Sequence, residues 1–105
     1  MESNVQKHFD ALFLKAHIYF AQKKYEKSSA LYLKLTENYP LQAQENLTLL
    51  NLAMSYEESH QLKQAVKTLK KLRKIYHSPD FINSKIQHIE KKMNLMPGGQ
   101  GRLKR

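Results

Sequence analysis

A chain of 105 residues suffices for one core, and the absence of cysteine removes disulfides, thiolate metal sites and cysteine nucleophiles together. Eighteen Lys and Arg against nine Asp and Glu leave a net charge of +9. Lysine recurs so often that no run approaches the ~18 uncharged apolar residues of a membrane-spanning helix. The charge is unevenly placed: residues 1–60 hold six lysines and seven acids, whereas residues 61–105 hold twelve basic residues and only Asp80 and Glu90. A soluble protein of a reducing compartment follows, with the cytoplasm as the expected location.

In chain order, Met1 to His8 contain no basic segment leading into an apolar run, so no secretion signal is expected. A first helix is predicted near residues 5–22. Its Phe9, Leu12, Phe13, Leu14, Ala16, Ile18, Tyr19, Phe20 and Ala21 occupy far more of the circumference than the ~100° stripe a surface helix requires. A second helix is predicted near 25–38, and Pro40 then restricts Tyr39 to extended geometry and marks a corner. The third, near 44–59, is again apolar on several sides through Leu47, Leu49, Leu50, Leu52, Ala53, Met54 and Tyr56.

The fourth, near 62–76, gathers Lys63, Lys67, Lys70, Lys71 and Lys74 on one side, flanked by Arg73. Ser78-Pro79-Asp80 supplies a capping residue and a proline suited to a helix start. The fifth helix, near 80–95, carries a narrow stripe of Ile82, Ile86, Ile89 and Met93. Met96-Pro97-Gly98-Gly99 stops it, and residues 97–105 read as a basic tail.

Sliding the chain against itself by 37 residues aligns Leu12 with Leu49, Ala16 with Ala53, Tyr19 with Tyr56, Tyr25 with Leu62, Ser28 with Ala65, Tyr32 with Leu69 and Leu35 with Leu72. Large faces large and small faces small, as two antiparallel helices need where their backbones cross closely. The segments from Leu12 to Pro40 and from Leu49 to His77 resemble tetratricopeptide repeats. Asn51-Leu52-Ala53-Met54-Ser55-Tyr56 and Leu62-Lys63-Gln64-Ala65-Val66 match the family's two central signatures best. The first copy departs at Lys15, where the family favours Leu, and at Ser28, where it favours Ala; His77 replaces a proline. The 37-residue spacing, against the family's usual 34, puts about three extra residues in the corner between Pro40 and Glu45.

The resemblance implies an all-α, right-handed superhelix of antiparallel hairpins with about five helices. Its repeats lie near 9–42 and 46–79, its capping helix is near 80–95, and the whole domain takes in residues 1–96. It also implies that first helices of the repeats line a concave face. That places Asp10, Phe13, His17 and Phe20 beside Leu47, Leu50, Met54 and Glu57 in an apolar trough able to receive a partner's helix or extended segment. The same surface could instead be covered by a second copy of the chain, by the fifth helix or by residues 1–7.

Other chemistry finds no constellation. No two of His8, His17, His60, His77 and His88 share a helical turn, so no metal site is expected. Residues 1–97 contain no glycine, which excludes a phosphate loop, and no serine sits in an activating motif. No cofactor and no enzymatic activity are expected. Tyr19, Tyr25, Tyr32 and Tyr56 fall at repeat positions and are expected in the core, not as stacking platforms for nucleic acid.

Three readings remain. One is an adaptor or chaperone binding a protein partner, for example a chaperone like those of type III secretion needle subunits, which it resembles in size and architecture. Another is a homodimer or a piece of a longer array. In the third, the lysine face with Lys85, Lys91, Lys92 and the tail meets nucleic acid or an anionic surface. Fifteen of the eighteen basic residues are lysines, so specific base recognition is disfavoured.

Overall fold

The structure, a computed structural model, describes residues 2–95, which form six α-helices and no strand. These are α1 (Glu2–Ala21), α2 (Tyr25–Asn38), α3 (Pro40–Glu45), α4 (Thr48–Glu58), α5 (Leu62–Arg73) and α6 (Pro79–Leu95). The predicted stop at residues 96–101 and the basic tail lie outside the described residues.

Helix α1 packs on α2, α2 on α4, α4 on α5 and α5 on α6, so the chain zigzags between two layers. One layer holds α1, α4 and α6; the other holds α2 and α5. The 37-residue offset is a structural register. Ala16 and Ala53 are both buried, as are Ser28 and Ala65, Tyr32 and Leu69, and Leu35 and Leu72.

The register extends into the corners. After α1, the Lys24 N–H donates to Tyr19 O at 2.8 Å and Lys23 N–H to Phe20 O at 2.9 Å; after α4, Gln61 N–H donates to Tyr56 O at 2.8 Å and His60 N–H to Glu57 O at 3.0 Å. This pair of bonds closes a helix through a left-handed residue. Lys23 and His60 take that role, each with φ 63 and without glycine's freedom.

Two clusters make the core. Phe9, Ala16, Tyr32, Leu35, Ala43 and Leu52 form the first. Ala53, Leu62, Ala65, Val66, Leu69, Leu72, Ile82, Ile86 and Ile89 form the second. Leu49 and Tyr56 pack against both and join them. The isoleucine stripe of α6 closes the second cluster. Burying each such side chain stabilises the fold by roughly 1.5–3 kcal/mol, which favours α6 held firmly against α5.

The corner expected between Pro40 and Glu45, with its extra residues, is itself helical. Its additional residues wind into α3, which begins at Pro40, where the missing N–H costs nothing, and buries Ala43. Leu47, left-handed at φ 54, then breaks the helical path, so α4 begins at Thr48 and not near residue 44.

Candidate functional site

The layer of α1, α4 and α6 presents the face on which the trough is expected. On α1, Phe13 is half-buried, stacks on Phe9 with ring centroids 5.0 Å apart and meets Tyr32 edge-on at 6.1 Å. His17 sits over Phe13 at 4.4 Å, and its Nδ1 lies 2.7 Å from the Tyr32 hydroxyl. With neutral His17 accepting at Nδ1, Tyr32 donates, and burial of its ring pushes its pKa up to about 12. Phe20 meets Tyr25 edge-on at 5.2 Å. These aromatic contacts fix the α1 wall from beneath.

Between α1 and α4, His17, Phe20, Ala21, Tyr32, Asn51 and Met54 enclose a depression of about 120 Å³. Its neighbour between α4 and α6 is a dimple of only about 10 Å³, lined by Leu50, Ala53, Met54, Glu57, Leu69, Lys85 and Ile89. Met54 belongs to both and is 38 % exposed, so one thioether links the two into a single shallow trough. Glu57 closes the far end through an ion pair with Lys92, Nζ to Oε2 2.6 Å.

His17, Phe20, Leu50, Met54 and Glu57 are thus brought together, with Phe13 as support under His17. Asp10 stands apart: it is exposed and accepts a bond from Gln6 Nε2 at 2.8 Å. Leu47 also lies away from the trough. Its left-handed backbone turns it into a different cavity of about 340 Å³, with Leu33, Thr36, Pro40, Ala43, Lys71 and Ile75 among its walls.

Sequence reasoning missed the contribution of α6. Lys85, Ile89 and Lys92 are spaced by four and three along one side of that helix, a signal that could have revealed them. Read as charge alone, Lys85 and Lys92 group with the lysine face, whereas in the structure they border the trough.

Lys63, Lys67 and Lys70 are exposed on the opposite side of α5 from its buried Leu62, Ala65, Leu69 and Leu72, and Lys74, also exposed, lies in the turn that follows the helix. Lys71 is also exposed and turns toward the cavity shared with Glu37. Helix α5 contains no acid, and among the described residues the Lys92–Glu57 pair is the only ion pair within 4.0 Å. No group of three or more His, Cys, Asp or Glu able to hold a metal occurs among the described residues, and no helix there is long and apolar enough to cross a membrane.

Stacked hairpins closed by a terminal helix that is largely polar on its outer side define a helical-repeat module. The tetratricopeptide repeat family matches residues 9–40 and again residues 47–76, together more than half of the chain. The chain belongs to the tetratricopeptide repeat family. Such repeats generally mediate protein–protein interaction and are typically non-catalytic. No curated protein and no solved structure matches the chain.

Proposed function

We propose that the trough across α1, α4 and α6 receives an apolar helix or extended segment of a partner protein, and that the chain serves as an adaptor or chaperone without enzymatic activity. The supporting observation is the partly exposed Met54 joining the Phe20 and Leu50 depressions. Met adapts its shape to different apolar surfaces, and a shallow apolar groove with few polar markers suits a helix presenting residues at three- and four-residue spacing. Phe20, Leu50 and Met54 carry affinity in this reading. His17, Asn51 and Glu57 orient the partner, and the lysines of α5 speed encounter with an acidic one.

A narrower form of the proposal is a cytoplasmic chaperone that shields an aggregation-prone helical subunit for export. The small size and the short, open trough suit one amphipathic helix.

Native affinity purification from source cells, followed by mass spectrometry, tests the reading. Wild-type chain is expected to retain a protein partner at raised ionic strength, and Phe20→Asp or Leu50→Asp to lose it. Retention of nucleic acid alone, released by salt and indifferent to both substitutions, would instead identify the α5 lysines as the working surface.

A further inference from the structure

Along the exposed side of α1 run Ala11, Leu14 and Ile18, with Ala21 following at the same spacing, where it also borders the depression between α1 and α4. All four are exposed, Leu14 at 62 % and Ile18 at 46 %. This is a heptad seam with Ala11 and Ile18 at a and Leu14 and Ala21 at d. The f positions of the same heptads are Phe9 and Ala16, the two α1 residues with 0 % exposure. The seam therefore points directly away from the core, and no described helix packs on it.

The seam also carries information about its occupant. A β-branched residue at a with leucine at d favours two parallel strands, and here these are Ile18 and Leu14. Asp10 occupies g and Lys15 the following e. In a parallel, in-register pair each Asp10 faces Lys15 of the other copy, twice about the two-fold axis. An antiparallel pair with Leu14 against Ile18 would set Lys15 against Lys15 and His17 against His17. Neither Asp10 nor Lys15 has an ion-pair partner among the described residues; Asp10 accepts from Gln6 on its own helix and Lys15 lies over the Tyr19 ring, both exposed contacts that a facing opposite charge can replace.

We propose that this face of α1 is a homodimer interface in which two copies pack in parallel through Ala11, Leu14, Ile18 and Ala21. The pairing leaves Phe20 and Met54 free, while Ala21 borders both surfaces and His17 flanks the seam at g, so the dimer and a partner in the trough meet along one edge of α1. Lys7, at the preceding d position, sets two lysines on the axis and ends the seam. A seam of three turns is short, so the dimer forms in a concentration-dependent manner.

Sedimentation equilibrium of the full chain from micromolar to millimolar concentration tests this. Wild type is expected to associate; Ile18→Asp to stay monomeric with unchanged helix content; Lys7→Leu to associate more tightly; Met54→Asp to behave as wild type. Asp10→Lys and Lys15→Asp are each expected to weaken association severalfold. An equimolar mixture of the two is expected to restore it, because in the mixed pair each exchanged charge again meets its opposite across the seam. Because the chain has no cysteine, Leu14→Cys introduces a lone thiol, and in a parallel pair the two thiols are expected to give up two electrons and two protons to dissolved oxygen and join as a 14–14 disulfide. A monomer at every concentration, self-association indifferent to Ile18→Asp, or capture of a different protein through Leu14 and Ile18 without self-association would each overturn the proposal.

Discussion

Lys23 and His60 hold left-handed backbone, φ 63 at both, in the tight corners where the first helix of each repeat ends. A Cβ is unfavourable there, and glycine relieves the strain while adding entropy to the unfolded chain. Lys23→Gly and His60→Gly are each expected to stabilise the fold by about 0.5–1 kcal/mol. A higher urea midpoint at constant m-value reports it, and an unchanged or lower midpoint contradicts it.

Tyr32 gives a second prediction at this scale. Burial raises its pKa from 10.0 to about 12, so the folded state favours the neutral phenol. The sign follows: its contribution is complete below pH 10, where unfolded tyrosine is also neutral, and is lost as pH climbs through about 12. Tyr32→Phe is expected to cost about 1 kcal/mol at neutral pH through the lost bond to His17. The same variant should lose less stability than wild type between pH 10 and 12.

Among the elements, the crossing of α2 and α4 turns on two hydroxyls. Ser28 Oγ donates to Tyr25 O at 3.0 Å and lies 2.8 Å from Ser55 Oγ, and both serines are fully buried. Ser28 departs from the family's alanine, and Ser55 explains it: the hydroxyl has a partner on the facing helix. With its proton on Tyr25 O, Ser28 accepts from Ser55, so Ser28→Ala is expected to cost about 1–2 kcal/mol by orphaning the Ser55 hydroxyl, Ser55→Ala to cost less because Ser28 keeps its bond to Tyr25 O, and the double variant to cost less than the sum. Additive losses in the thermal unfolding of the four proteins would exclude this coupling.

The sequence made the helix pairs and the buried stripe legible because both obey local periodicity, and Ala16 and Ala53 recur at the same place in each hairpin. It did not reveal the Ser28–Ser55 contact, which joins residues 27 apart and has no periodic signature. Helix α3 was hidden for a different reason. Proline is a boundary signal in sequence, yet at the first position of a helix it starts the turn that buries Ala43. The left-handed corners at Lys23, Leu47 and His60 also escaped notice, since glycine, their usual marker, is absent from all three.

For the whole molecule, Met54 joins the depressions on the face of α1, α4 and α6, while the lysines of α5 have no acid on their own helix. Of the residues expected in the trough, the register pairs His17 with Met54 and Phe20 with Glu57 converge, with Leu50 beside them, whereas the pair of Asp10 and Leu47, at the same offset, does not. Asp10 lies toward the outer seam, and Leu47 departs with the backbone turn that precedes α4. The contribution of α6 depended on how a third helix folds back beside α4, which spacing within α6 could suggest but not fix. The two surfaces make opposite demands on a partner, one apolar and indifferent to salt, the other anionic and salt-sensitive.

Site-specific photo-crosslinking in source cells separates them most directly, with p-benzoylphenylalanine placed at Met54 in one chain and at Lys67 in another. The trough reading predicts a discrete protein adduct from position 54 and none from position 67. Adducts confined to position 67, whether to nucleic acid or to protein, would contradict it.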